Sequence, residues 1–128
     1  MNSERLRELG YLHDSIVRTL TEDFLDPEAR IIRIVVDCHI ESGHPSWSGR
    51  RLVLVAHDVR LMIHRLWYTS GRESINSVEG QISPEARAQF LAHRPANSML
   101  PGEEVAVVFH SGAVLEMVCA SLTVEIDK

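Results

Sequence analysis

Ile31-Ile-Arg-Ile-Val-Val-Asp-Cys-His-Ile40 decides the fold class. Ile32, Ile34, Val36, Cys38 and Ile40 fall on one parity, and Arg33, Asp37 and His39 on the other. A period of two is that of a half-buried strand, with the first set turned to a core. The reading predicts a strand over Arg30 to Glu41, with Cys38 as a buried thiol rather than half of a disulfide.

Working outward, most other apolar runs also read as strand. Tyr11 to Leu20 is expected as a first strand, Arg51 to His57 as a third, and Glu73 to Ile82 as another. Asp58 to Tyr68 fits two periods. Val59, Met62, Ile63, Leu66 and Trp67 have helical spacing, whereas Val59, Leu61 and Ile63 alternate. Strand is preferred, because a meander joins neighbours by short connections. Ser111-Gly112 between Glu103–His110 and Ala113–Ile126 signals a hairpin. In the last strand Val118, Ala120, Leu122, Val124 and Ile126 are expected to share a face. Ser83-Pro84-Glu85 opens a helix over Ala86 to Ala92, with a capping serine and proline at the first position. Residues 3–9 make one or two helical turns ended by Gly10. Thr21 to Ala29, Ser42 to Gly49 and His93 to Gly102 are expected as loops. The sum is an α+β chain: a mainly antiparallel sheet of six or seven strands, as a meander or small sandwich, with one or two short helices.

The chain has 128 residues, one domain (1–128) by the size prior. No apolar run approaches the ~20 residues of a membrane helix, and the charged start carries no signal segment. The expectation is a cytoplasmic protein without a membrane partner. The net charge of −5 argues against nucleic acid as a partner. Five arginines (Arg50, Arg51, Arg60, Arg65, Arg72) stand against one acid, Asp58, between positions 50 and 72. A solvated face is the simpler reading, and a patch for an anionic ligand the sharper one.

Seven histidines (His13, His39, His44, His57, His64, His93, His110) are the main chemical signal. Two precede aspartate, in His13-Asp14 and His57-Asp58, and histidine with carboxylate serves metal sites and general bases. Adjacent strand residues point to opposite faces, so one such dipeptide on a strand does not chelate. A pocket lined by His39, His57, Asp58 and Arg60 is the alternative a sheet could assemble. Asp14 or Ser15 is expected to bond local backbone where the first strand starts. Trp47, in a polar loop with His44 and Pro45, either folds onto the core or anchors a partner, and folding back is favoured. There is no G-x-S-x-G elbow, no glycine-rich phosphate loop and no HExxH, so no catalytic residue and no cofactor is expected.

Tyr11-Leu-His-Asp-Ser-Ile16 resembles the opening of a loose group of small bacterial proteins that begin with Leu-His-Asp-(Ser/Ala). In that group an alternating strand follows, as at Ile31–Ile40, then a segment like Leu52-Val-Leu-Val-Ala-His-Asp-Val59. A glycine-turn hairpin closes it, here Phe109-His-Ser-Gly-Ala-Val-Leu115 leading to Leu122-Thr-Val-Glu125. Some members look like immunity proteins that neutralise a neighbour's toxin. The resemblance implies a non-enzymatic protein-binding function and carries over no catalytic residues. The His44–Gly49 loop and the 93–102 stretch depart from the pattern. The leading expectation is therefore a small binding protein, immunity-like, acting by protein–protein contact. A small-molecule or metal-binding protein with the His/Asp/Arg pocket is the alternative. Self-association through a sheet edge is a third expectation.

Overall fold

A computed structural model of the chain describes residues 3–23, 30–65, 73–93 and 103–127. The elements are α1 (Ser3–Leu9), a 3-10 turn (Gly10–Leu12), β1 (Ile16–Asp23), β2 (Ile31–Asp37), β3 (Arg51–Arg65), β4 (Glu73–Glu79), α2 (Pro84–His93), β5 (Glu103–Phe109) and β6 (Val114–Ile126). The predicted α+β class with a mainly antiparallel sheet holds. The six strands close into a barrel in the order β1-β2-β3-β6-β5-β4. Two three-stranded meanders are thus joined by the β3–β6 ladder and closed again where β1 meets β4. No helix among the described residues is long and apolar enough to cross a membrane.

β2 realises the alternation read in its sequence. Ile32, Ile34 and Val36 are buried and Arg33 is exposed. Cys38 is also buried, and both cysteines are free. Ile40 departs from the expectation: the strand ends at Asp37, parity no longer applies, and Ile40 is 77% exposed.

The piece that fitted two periods is strand as far as Arg65, and positions 66–68 lie outside the described residues. Its helical spacing has a physical cause. Register slips between Val59 and Leu61, and Asp58 has a φ of 53°. An irregularity of this kind shifts which parity faces the core. Leu52, Leu54 and Ala56 pack inward before it, and Val59 and Met62 after it. The switch occurs in β6 as well, from Leu122, Val124 and Ile126 to Cys119, Met117 and Leu115. The expected common face of β6 is therefore corrected. Val118 is buried on the outside beneath α2, with Ile82 and Ala86, and Ala120 is exposed.

α2 starts where its sequence signals. The Ser83 hydroxyl accepts the Ala86 N–H at 3.2 Å, satisfying one of the orphan donors of the first turn. Two carboxylates of the barrel wall hold this start. Glu116, 2% exposed, accepts from the Ser83 N–H and hydroxyl, and Glu104 accepts from the Ile82 N–H and Arg87. α1 also forms as expected, but the chain continues through the 3-10 turn instead of stopping at Gly10.

Candidate functional site

The first strand begins at Ile16, not at Tyr11, which leaves His13 and Asp14 in the turn before it. Leu12 is fully buried and anchors the end of the 3-10 turn. His13 and Asp14 then occupy a turn, and Asp14 has a φ of 65°. Aspartate tolerates this left-handed region better than most residues. In a strand the two side chains would diverge. In this turn His13 Nε2 lies 3.5 Å from Asp14 Oδ1. Ser15 is buried, and its hydroxyl accepts the His39 N–H at 3.0 Å, so it fastens the end of β2 rather than local backbone.

A third side chain arrives from the other end of the sequence. Phe109 is buried at the end of β5, and the chain turns through His110, Ser111 and Gly112. Gly112, with a φ of 94°, allows the turn its tightness. His110 Nε2 donates to Asp14 Oδ1 at 2.7 Å across a separation of 96 positions. The two imidazoles meet edge to face with centroids 5.4 Å apart. The Ser111 hydroxyl donates to the buried Glu73 carboxylate at 2.6 Å, pinning the hairpin to the start of β4.

Three consecutive carbonyls of β4 position the cluster. Ser74 O accepts the His110 N–H at 3.0 Å, and Ile75 O the Asp14 N–H at 2.7 Å. Asn76 O accepts from His13 Nδ1 at 2.6 Å. A carbonyl oxygen only accepts, so Nδ1 carries a hydrogen and, in the neutral ring, Nε2 holds the lone pair turned to Asp14. The hydrogen bond from His110 holds the Asp14 carboxyl below the usual carboxylate range, against the desolvation that would raise it. Positive potential from His13, His110 and His39 acts in the same direction. The side chains of His13, Asp14 and His110 stay 56%, 50% and 42% exposed, so a ligand in solution reaches them.

The other predicted site residues are placed apart. His39 lies near this cluster, at the end of β2 bonded to Ser15, and its Nδ1 accepts the Glu41 N–H. His57 sits at the opposite end of the β2–β3 ladder, where Ile32 pairs with Ala56, and meets Thr123 at 3.3 Å. Asp58 pairs with Arg60 at 3.0 Å on the irregular stretch of β3. The expected pocket of His39, His57, Asp58 and Arg60 therefore does not assemble, because strand pairing holds its parts at opposite ends of one ladder. The arginine-rich stretch is partly neutralised: Arg51 joins Arg18 on Asp37, and Arg60 meets Asp58. Arg72 and the Arg65 side chain lie outside the described residues, as do Trp67 and the 94–102 loop.

Trp47 folds back, 6% exposed, into the core. His44 stacks on it at 3.9 Å and takes the edge of Tyr11 at 5.1 Å. His44 Nδ1 accepts the N–H groups of Ser46 and Trp47, which closes the loop and turns Nε2 toward Glu8 at 4.0 Å. These contacts give the loop a structural role.

His110 is the site residue the sequence reading missed. The Phe109-His-Ser-Gly turn is one of four segments on which the resemblance rests, with Tyr11–Ile16, Ile31–Ile40 and Leu52–Val59, and nothing in it singles out His110. No family model, curated protein or solved structure matches the chain.

Proposed function

We propose that the chain is a small binding domain acting by contact with another protein, with the His13–Asp14–His110 rim as its working surface. One observation carries this reading. Segments 96 positions apart converge on β4 with their polar side chains turned to solvent. Exposed side chains held by a rigid scaffold suit recognition.

Candidate nucleophiles support binding over chemistry. Both cysteines are buried, and desolvation, with the charges of Glu103 and Asp58, pushes the Cys119 thiol up to about 11. Ser15 is buried and engaged, and the Ser111 hydroxyl is turned to Glu73. The resemblance of both converging segments to small immunity-like proteins supports a protein partner. A basic partner suits a chain of net charge −5, since complementary charge speeds association.

The test is capture from source-organism lysate on tagged wild-type chain and on a His13→Ala/His110→Ala variant, both in EDTA. The expected result is one protein retained at near-equal stoichiometry by the wild type and lost from the variant. Equal retention by both moves the partner surface elsewhere, and retention of nothing by the wild type overturns the reading.

A further inference from the structure

We propose that His13, Asp14 and His110 form a binding site for a divalent transition-metal ion of the zinc and nickel class. The inference stands on the cluster's own geometry and does not rest on the protein-contact reading.

The distances fit. One ligand atom from each of the three residues lies within 4.8 Å of the others. A tetrahedral ion with bonds near 2.0–2.1 Å needs ligand atoms ~3.4 Å apart. His13 Nε2 and Asp14 Oδ1 already stand 3.5 Å apart. His110 Nε2 and Asp14 Oδ1, 2.7 Å apart around a shared hydrogen, must separate by roughly 0.7 Å when an ion replaces that hydrogen.

Metal-bound histidine commonly donates its far N–H to a carbonyl or carboxylate, which fixes the ring and leaves the other nitrogen as ligand. His13 has this arrangement without an ion, because Asn76 O holds Nδ1 at 2.6 Å. That leaves Nε2, 3.5 Å from Asp14 Oδ1, as the ligand atom.

The cluster is also preorganised. Asp14 is set in its turn by the Ile75 carbonyl and His110 by the Ser74 carbonyl, so little backbone ordering remains for binding to supply. The donor set selects the ion. Two imidazoles with one carboxylate favour late first-row metals over calcium or magnesium, which prefer all-oxygen shells. Three protein ligands on an exposed rim leave a coordination position open to water or another ligand.

The test is calorimetric titration of zinc chloride into the full chain, stripped with EDTA and dialysed, at pH 7.5. His13→Ala, His110→Ala and Asp14→Asn are titrated in parallel. Asparagine also tolerates positive φ, so the last variant removes the charge while keeping the turn. Wild type is expected to take up one equivalent, and each variant to bind at least tenfold more weakly. Cobalt(II) absorption supplies a second readout, with intense d–d bands for the tetrahedral site that are lost in the variants. No heat and no cobalt bands at 100 µM metal overturn the proposal. Zinc uptake that all three variants retain does so too, because it places the ion elsewhere. Circular dichroism of each variant in EDTA checks the fold, and a variant that fails it is replaced by His13→Gln or His110→Gln. Partner capture in EDTA is independent of metal, so failure of either proposal is separable from failure of the other.

Discussion

Two seams close this barrel, and they differ in length and in what they do. The β3–β6 ladder runs from Leu52↔Ile126 to Arg65↔Val114, whereas β1 and β4 pair only at Ile16↔Ser74 and Val17↔Glu73. Along the long seam the inward side chains are apolar: Leu52, Leu54, Leu115, Met117 and Cys119. Around the short one stand the buried Ser15 and Glu73 and the exposed His13, Asp14 and His110. Where the β1–β4 ladder stops, the carbonyls of Ile75 and Asn76 take N–H donors from the His13–Asp14 turn instead of from a strand. A buried or half-buried backbone acceptor needs a partner. A short seam meets that need with side chains and turns, and thereby positions them. The long seam holds the fold, and the short seam holds the candidate site.

The largest expected effect tests the long seam. Met117→Ala removes a fully buried side chain from β6 and should destabilise by about 2–5 kcal/mol in urea unfolding. A loss under about 1 kcal/mol would break the assignment of stability to this seam. Ser15→Ala, beside the short seam, leaves the His39 N–H without its acceptor and should cost about 1–3 kcal/mol. If it costs less than about 0.5 kcal/mol, water satisfies the donor and the link between the ends of β1 and β2 is not structural.

Acid should reveal a smaller term on the β1–β2–β3 sheet. Desolvation raises the Asp37 carboxyl, but hydrogen bonds from Arg18 and Arg51 overcome it and leave it below the ordinary 3.8. The unfolded chain therefore binds the proton more readily. The stabilisation is present above pH ~4 and is lost as pH falls through the lower folded value. Asp37→Asn should cost about 0.5–1 kcal/mol at pH 7, since the pair is partly exposed, and progressively less as pH falls through that lower value. A loss that does not change as the solution is acidified would show a packing effect instead. The smallest effect sharpens the contrast most. In EDTA, His13→Ala and His110→Ala should each change stability by less than about 0.5 kcal/mol. A larger loss would make the cluster a clasp of the barrel and remove the division of labour between the seams.

Local pattern was enough wherever one face of one element met the core. Ile32, Ile34 and Val36 are buried as their alternation requires, and Ser83-Pro84 starts α2. Pattern misled where the backbone was irregular. The spacing of Val59, Met62 and Ile63 imitates a helix because register slips between Val59 and Leu61, so Val59 and Met62 both pack inward while Ile63 packs outside against Ile82, Ala86 and Val118. Tyr11 and Leu12 have strand-like composition but belong to a 3-10 turn, and a strand there would have kept the His13 and Asp14 side chains apart.

By itself the sequence determined the class: antiparallel strands with short capped helices, through periods and turn residues that act within a few positions. It also put His13 and Asp14 among the candidate binding residues, and it read the turn beside His110 only as a hairpin. Tertiary structure alone decided that the sheet closes, that β6 lies beside β3, and that His110 meets Asp14. The reason is physical. Periodicity and capping are local free energies written in neighbouring residues, whereas strand order and barrel closure depend on pairing between segments whose proximity no local term specifies. The candidate site sits on such a pairing, where the turn before β1 and the β5–β6 turn both bond carbonyls of β4.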